Sequence, residues 1–236
     1  MRLDRFIESS LSYSARTVRD LFVQRLVLLN GIAVTDGRGR ISEFCRVEVA
    51  GKVLQSREPV YIMLHKPQGC VSATQDTQHK TVLDIIDLPD KQHLHLAGRL
   101  DFNTTGLLLL TNDGKWSRKI TQPQHKIPKT YVVKTKDEIT SEYVRVFSEG
   151  IYFAFENLTT LPAELLILSS HSAQLTIYEG RYHQIKRMFG FFNNEVMALH
   201  RLSMGSISLD ERLAAGEYRY LTDTEVASID QHSVHF

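Results

Sequence analysis

Four consecutive leucines at residues 107–110 are the feature that most constrains how this 236-residue chain can fold. The run follows Gly106 and ends before an Asp-Gly turn signal at residues 113–114, which makes it too short for a buried helix. A short apolar run with such boundaries predicts a strand buried on both faces. The polar and charged segment before it, residues 98–105, is therefore expected at the rim of a core.

Asp101 lies within this polar segment, where a carboxylate is costly unless a positive charge neutralises it. Arg99, two positions earlier, is one candidate partner. Loops rich in Asp, Asn and Thr also commonly satisfy their own backbone. From the residues alone, Asp101 is either a member of a structural ion pair or a reactive group.

The whole stretch at residues 98–114, GRLDFNTTGLLLLTNDG, resembles the catalytic signature of the pseudouridine synthases, in the branch that modifies single uridines of ribosomal RNA. The resemblance implies that Asp101 is the essential catalytic carboxylate. It also implies a reaction without metal or cofactor, in which the bond between sugar and uracil breaks and the base is rejoined through ring carbon five. Arg99 is expected to contact phosphate or to brace the loop.

Two later motifs extend the resemblance. Lys129 and Tyr131 match the KxY element of the family, and on a strand these two residues share one face. Tyr131 then offers a stacking surface to a base, although a buried core tyrosine is the alternative.

Residues 179–188, EGRYHQIKRM, resemble the element EGRxHQIRRM. In the family an apolar residue here packs against the target base and the next basic residue pairs with the catalytic Asp, roles that correspond to Ile185 and Lys186. Lysine instead of arginine excludes a bidentate pair with Asp101 but keeps the charge. The spacing predicts a helix with His183, Lys186 and Arg187 on one face and an apolar stripe on another, formed by Tyr182, Ile185, Met188, Phe189 and Phe192. We count His183 and Lys129 among the substrate-binding residues.

The N-terminal segment is basic, with ten Lys or Arg against six Asp or Glu in residues 1–57, whereas the rest of the chain has 18 against 21. Apolar residues at helical spacing predict one helix over residues 2–11 and a second after an N-cap at Ser14. Two small helices followed by short strands resemble the S4-like RNA-binding domain, a resemblance carried by MRLDRFI and LNGIAV. The arginines expected to contact RNA phosphates are Arg2, Arg5, Arg16 and Arg19.

These patterns predict an α+β protein with an S4-like RNA-binding domain at residues 1–50, a linker at 51–59 and a catalytic domain at 60–236. The resemblance implies a mixed, mainly antiparallel sheet in the larger domain, and the strands and short helices show no βαβ regularity. Thr81 is predicted to cap a short helix over residues 82–86, which ends before Pro89.

Composition limits the remaining choices. The chain has 42% hydrophobic and 23% charged residues, no apolar run near the roughly 18 residues of a membrane span, and no secretory signal at its start. Cys45 and Cys70 are too few for a four-cysteine zinc site. We expect a monomeric cytoplasmic protein that binds ribosomal RNA and no membrane.

Three functions compete at this stage. The first is a pseudouridine synthase acting on 16S rRNA at a site of the uridine 516 type, with 23S rRNA as the alternative because large-subunit relatives share every quoted motif. The second is a non-catalytic ribosome-assembly factor that binds RNA. The third is a metal-dependent hydrolase that uses His93, His95 and Asp101.

Overall fold

The computed structural model describes residues 1–231, and the chain divides into two compact units between Pro59 and Val60. None of the helices in the described residues is long and apolar enough to cross a bilayer.

The first unit packs two helices against a small antiparallel sheet of strand order β2-β1-β3-β4. Its elements are α1 (Leu3–Leu11), α2 (Ala15–Val23), β1 (Val27–Leu29), β2 (Ile32–Ala33), β3 (Val47–Val49) and β4 (Lys52–Gln55). Ser14 caps α2, because its side chain accepts a hydrogen bond of 3.2 Å from the Thr17 backbone N–H. The buried residues Leu3, Ile7, Val18 and Phe22 join the two helices to the sheet through one apolar cluster.

The linker predicted at residues 51–59 is wrong in its first half, because β4 pairs with β3 there. The polar composition of this segment concealed an edge strand, in which the side chains of Lys52 and Val53 are exposed. Such a segment forms a strand rather than a linker only where a neighbouring strand pairs with it, and here that strand is β3.

The second unit is built on a large sheet with helices packed beside it. Its elements are β5 (Tyr61–Lys66), β6 (His95–Leu96), β7 (Thr105–Thr111), α3 (Gly114–Thr121), β8 (Lys129–Thr135), α4 (Ser141–Glu149), β9 (Tyr152–Phe153), β10 (Leu158–Thr159), β11 (Glu164–Ser169), β12 (Ser172–Ile177), α5 (Gln184–Gly190), β13 (Val196–Met204), β14 (Ile207–Ser208), β15 (Tyr218–Tyr220) and α6 (Asp223–Gln231).

The main path of the sheet runs β11-β12-β8-β13-β7-β5-β15, with β6 added to β7 and β14 added to β13. All pairs are antiparallel except β13 with β7, so the sheet is mixed and mainly antiparallel, as predicted. Together with the helices it confirms the α+β class.

The leucine run forms the centre of β7, and all four leucines are fully buried. Leu108 and Leu110 belong to one apolar cluster, whereas Leu107 and Leu109 belong to another. The prediction of a strand buried on both faces is confirmed, and β7 separates the two cores of this unit.

The predicted short helix after Thr81 is absent from the described residues. The Thr81 backbone N–H and hydroxyl both donate to the Asp84 carboxylate, at 2.8 and 2.9 Å, and form a turn. Because Thr81 binds the side chain of Asp84, three residues later, the turn is stabilised by local hydrogen bonds and no helix needs to follow.

Candidate active site

One cavity of about 540 Å³ lies in the second unit, between the loop before β7, strand β8, the start of α5 and strand β13. Its volume falls in the usual range for small-molecule sites, about 300 to 1,000 Å³. The cavity brings together every site residue predicted for the larger domain. These are Arg99, Asp101, Lys129, Tyr131, His183, Ile185 and Lys186.

The loop that carries Asp101 is held from both sides. The Ser72 hydroxyl donates to the Leu100 carbonyl at 2.6 Å and accepts from the Leu100 N–H at 3.0 Å. On the far side, the Thr104 N–H donates to the Asp101 carbonyl at 3.0 Å. These bonds fix the backbone on either side of the carboxylate, and the side chain of Asp101 remains about a third exposed to the cavity.

Lys66 also holds the loop that carries Asp101, through hydrogen bonds to its backbone. Its side chain is fully buried, and the ammonium donates to the carbonyl oxygens of Pro67, Phe102 and Thr104 at 3.0, 3.3 and 2.9 Å. Burial lowers its pKa. The segment HKPQG at residues 65–69 is thereby tied through its lysine to the loop that carries Asp101.

The nearest basic side chains to Asp101 come from α5 and from the residue that precedes it. His183 Nε2 lies 3.5 Å from Asp101 Oδ1, and Lys186 Nζ lies 4.0 Å from Oδ2. Arg99, the candidate partner adjacent in sequence, is exposed and forms no ion pair within residues 1–231. The candidate pair between Arg99 and Asp101 is therefore not formed, and the basic side chains within 4.0 Å of the carboxylate are His183 and Lys186.

The start of α5 is fixed by a buried carboxylate, Glu179. It accepts hydrogen bonds from the Leu161 N–H at 2.9 Å, from Arg181 Nε at 2.9 Å and from Gln184 Nε2 at 2.8 Å. Three donors on one buried carboxylate hold the turn before α5 in a single geometry. His183 and Lys186 are thereby held next to Asp101.

Helix α5 starts later than the sequence pattern predicts. The helix begins at Gln184, and His183 precedes it in the left-handed region at φ 49°. Tyr182 is therefore not on an apolar stripe but is 72% exposed, with its ring stacked on His183 at 3.9 Å between centroids. Arg187 is directed away from Asp101 and donates to Glu156 at 2.6 Å.

Lys129 and Tyr131 lie on the same face of β8, as predicted, and both line the cavity although they are 9% and 6% exposed. The Lys129 ammonium donates to the Ile127 carbonyl at 3.0 Å. Burial, together with the nearby positive charge of Arg201, lowers the pKa of Lys129 to about 8.

Arg201 is a cavity residue that the sequence reasoning missed. It lies on β13, is 1% exposed, and its Nε donates to the Leu107 carbonyl at 2.7 Å. Its Nη1 lies 3.5 Å from both the Arg99 carbonyl and the Tyr131 hydroxyl. No signal in the sequence distinguishes it from the exposed arginines of the chain, because β13 reads VMALHRLSM and has no regular alternation that would assign Arg201 to a buried face.

The histidines considered for a metal site do not reach Asp101. His95 pairs with Thr111 at the far end of β7, whereas Asp101 precedes the start of that strand, and His93 is exposed. Residues 1–231 contain no group of three His, Cys, Asp or Glu side chains placed to bind a metal ion.

The four N-terminal arginines fall into two groups. Arg2 and Arg5 form ion pairs with Asp4 and Glu8, at 2.5 and 2.8 Å. Arg16 and Arg19 are exposed on α2 and have no acidic partner in the described part of the chain.

Known proteins resemble this chain over nearly all of its length. A family model for RNA pseudouridylate synthase matches residues 60–190. The ribosomal small subunit pseudouridine synthase A of Pseudomonas aeruginosa is 48% identical over 230 residues, which cover 97% of this chain and 100% of the relative. The protein of the same name from Vibrio cholerae is 44% identical over 229 residues, covering 97% and 99%.

A solved crystal structure of a pseudouridylate synthase shares the fold. It superposes with a TM-score of 0.71 at 42% sequence identity and covers 97% of this chain and 99% of that one. Sequence and structure agree over the same span, and the matched family region contains Asp101, Tyr131 and Lys186. The chain therefore belongs to the RNA pseudouridylate synthase family.

Proposed function

We propose that this chain isomerises a single uridine of 16S rRNA, of the uridine 516 type, to pseudouridine, with Asp101 as the catalytic carboxylate. Relatives named as ribosomal small subunit pseudouridine synthase A that align over 97% of the chain support the choice of substrate. The observation that carries the proposal is Asp101 in the cavity, within 4.0 Å of Lys186 and beside Tyr131 and Ile185.

The carboxylates of the cavity favour isomerisation over hydrolysis. A hydrolytic glycosidase usually needs two carboxyl groups, one as acid and one as nucleophile or base. Among the described lining residues the only other carboxylate is Glu179, and three donors already bind it. Asp101 alone is free to act on the sugar, either by attack as a nucleophile or by removal of a proton.

The surroundings of Asp101 suit a flipped nucleotide. A uridine stacked in RNA must leave its stack to reach the cavity, at a cost of a few kcal/mol. Tyr131 and Ile185 supply the apolar surfaces between which the uracil lies, and Lys186 and His183 lie beside the Asp101 carboxylate. Arg99, exposed at the cavity, contacts the RNA backbone.

The first unit acts as an S4-like RNA-binding domain in this proposal. Arg16 and Arg19 carry positive charge that no acidic side chain of the described residues neutralises, so they are available to phosphates. Such contacts offset the cost of flipping the uridine without reading the sequence. The protein acts as a monomer in the cytoplasm, on ribosomal RNA or a partly assembled small subunit.

The test is to incubate the full-length protein, without added metal or nucleotide, with unmodified 16S and 23S rRNA transcripts and with partly assembled small subunits. Pseudouridine is then mapped at base resolution. The same assay is run with Asp101→Asn, which removes the charge at almost constant volume, and with Asp87→Asn, the same change at an exposed position outside the cavity.

We expect one modified uridine in 16S rRNA, made by the wild type and by Asp87→Asn and absent with Asp101→Asn. Modification of 23S rRNA alone would move the substrate to the large subunit. Tight RNA binding by all three proteins without any pseudouridine would favour a non-catalytic assembly factor. Loss of activity in excess chelator would contradict a metal-free reaction.

A further inference from the structure

Two buried cations line the cavity without a counter-ion. Arg201 is 1% exposed and Lys129 is 9% exposed, and neither forms an ion pair with a carboxylate anywhere in residues 1–231. A buried charge is costly unless it is paired and fully hydrogen-bonded. We call Lys129 and Arg201 the buried cation pair, because the two side chains also repel each other.

The hydrogen bonds of the pair leave donors unused. Arg201 gives one short bond, from Nε to the Leu107 carbonyl, and two long ones of 3.5 Å from Nη1. Its buried Nη2 has no hydrogen-bond partner among the residues that the structure describes. Lys129 has a single carbonyl acceptor. Lys66 in the same unit shows the opposite case, with three carbonyl oxygens around one ammonium.

The rest of the cavity does not supply the missing negative charge. Five Lys or Arg side chains line it against two carboxylates. Asp101 already has Lys186 and His183 as neighbours. Glu179 is bonded to Arg181, and its attraction for Lys129 is smaller than the opposing effects of burial and of Arg201. The cavity therefore has excess positive charge at its buried side, and a ligand with negative charge there would remove the imbalance.

The reaction proposed above creates such a charge. When the C1′–N1 bond breaks, its electron pair leaves with the base, whose negative charge is shared by N1, O2 and O4. This holds whether Asp101 first attacks the sugar or takes a proton from it. The base then turns and C5 bonds to C1′. In the first case the bond from Asp101 to C1′ breaks as this bond forms, and in the second Asp101 returns to the sugar the proton that it took. C5 then loses a proton and N1 gains one, so atoms and charge balance without a co-reactant.

We propose that the buried cation pair stabilises the negative charge on the detached uracil, with Arg201 as the principal catalytic group for this step. The inference rests on the proposed function and assigns Arg201 a part in it. A preorganised charge in a site that excludes water is most effective where charge develops during the reaction.

A purely structural role for Arg201 makes a different prediction. Its bond to the Leu107 carbonyl and its contact with the Arg99 carbonyl connect β13 to β7 and to the catalytic loop. If bracing were its whole function, any side chain that donates a hydrogen bond there would serve, charged or not. Two substitutions separate these roles.

The experiment compares Arg201→Lys, which keeps the charge, with Arg201→Gln, which keeps a donor and loses the charge. First-turnover rates on saturating 16S substrate, RNA dissociation constants and Tm are measured for both. We expect Arg201→Gln to lose roughly 100-fold or more in rate, Arg201→Lys to recover about tenfold of this loss, and both to bind RNA like the wild type. Arg145→Gln, a change at an exposed, ion-paired position of α4, is the control and is expected to keep the full rate.

Equal losses in the two Arg201 variants, or a full rate in Arg201→Gln, would overturn the inference and leave the proposed function intact. If Arg201→Gln does not fold, Lys129→Gln decides, and an unchanged first-turnover rate in that variant would overturn the inference. A wild type that forms no pseudouridine in any rRNA would overturn the proposed function itself, and the role of Arg201 with it.

Discussion

At the scale of single residues, two buried lysines of the second unit differ in how many hydrogen bonds their ammonium groups form. Lys66 is fully buried, but three carbonyl oxygens take the place of its water. Lys129 is nearly as buried and has one carbonyl oxygen. The first arrangement stabilises a loop, whereas the second keeps a charge beside the cavity at the expense of stability.

Lys129→Met should therefore raise the free energy of unfolding. The pKa of Lys129 falls from about 10.5 to about 8 on folding, so the folded state binds its proton more weakly than the unfolded state. The penalty is complete below pH 8 and fades as pH rises from 8 to 10.5. We expect a gain of about 1 to 3 kcal/mol at pH 7 that shrinks across this interval.

Urea unfolding at pH 7 and at intervals up to pH 10 measures this effect. Lys134→Met is the matched control, because Lys134 is exposed on the same strand and should change stability by less than about 0.5 kcal/mol at every pH. A destabilised Lys129→Met, or a gain that grows with pH, would contradict the account of Lys129.

The carboxylate of the candidate site, Asp101, could be predicted from the sequence, but the basic side chains beside it could be predicted only through resemblance to a family. Asp101 precedes an apolar strand, a local pattern, whereas Lys186 reaches it from a helix 85 positions later. The local sequence pattern suggested Arg99 as one candidate partner of Asp101, because such a pattern reveals only residues that are close in the chain. Arg201 was missed for the same reason, since its burial depends on β7 and β8 rather than on β13 itself.

At the scale of elements, the site depends on the close approach of β7 and β13, the one parallel pair of the sheet. Gly106 pairs with Arg201 at a φ of 105°, and a Cβ added there would lie 2.3 Å from the Arg201 carbonyl oxygen. Both the backbone angle and the space require glycine. The loop of Asp101 enters β7 through this position.

Gly106→Ala is expected to separate β7 from β13 and to lower the free energy of unfolding by about 3 kcal/mol or more. Activity on RNA should fall with it, because Arg201 and the loop of Asp101 move together. Thermal unfolding and first-turnover assays report the two effects. Gly190→Ala, at the end of α5 with nothing within 4 Å of the added Cβ, should have almost no effect on either, and equal Tm values for the two variants would contradict the steric argument.

Elements with a strong local pattern were predicted well, and elements that depend on a partner were not. The buried leucine strand and the Ser14 cap of α2 follow from their own residues. Strand β4 was predicted as a linker because its strand conformation depends on pairing with β3. The turn at Thr81 was predicted as the start of a helix because the hydrogen bonds to Asp84 that stabilise the turn could not be predicted from the pattern. The start of α5 moved to Gln184 because the hydrogen bonds of Glu179 hold the preceding turn.

At the scale of the whole molecule, charge is divided between the two parts of the chain. The first 57 residues have four more basic than acidic side chains, whereas the remainder has three more acidic ones. Ion pairs reduce this excess at Arg2 and Arg5 but not at Arg16 and Arg19. Arg16 and Arg19 therefore place part of the positive charge available to RNA in the first unit on α2.

The double variant Arg16→Gln with Arg19→Gln should bind RNA more weakly and with less dependence on salt. Each lost phosphate contact lowers the slope of log affinity against log salt by roughly 0.7 to 0.9, so the pair should lower it by about 1.5. Titrations between low and physiological salt measure the slope. The rate on saturating RNA should not change, since these residues do not line the cavity.

Arg2→Gln with Arg5→Gln provides the comparison, because Asp4 and Glu8 already neutralise these arginines in the folded protein. We expect a clearly smaller change in slope for this pair. Equal slopes for the two double variants would show that the ion pairs do not determine which arginines meet the RNA.

Strand β13 lies in the middle of the sheet, although it is contributed late in the chain. Until residues 196–204 leave the ribosome during synthesis, β11-β12-β8 and β7-β5 have no strand to join them. Tyr131 lies on β8, in the first of these groups, whereas Asp101 precedes β7, in the second. Without β13 the two residues are therefore not brought together in a cavity. The cavity therefore forms only after β13 has been synthesised, and a chain that stops before this strand is expected to have no active site.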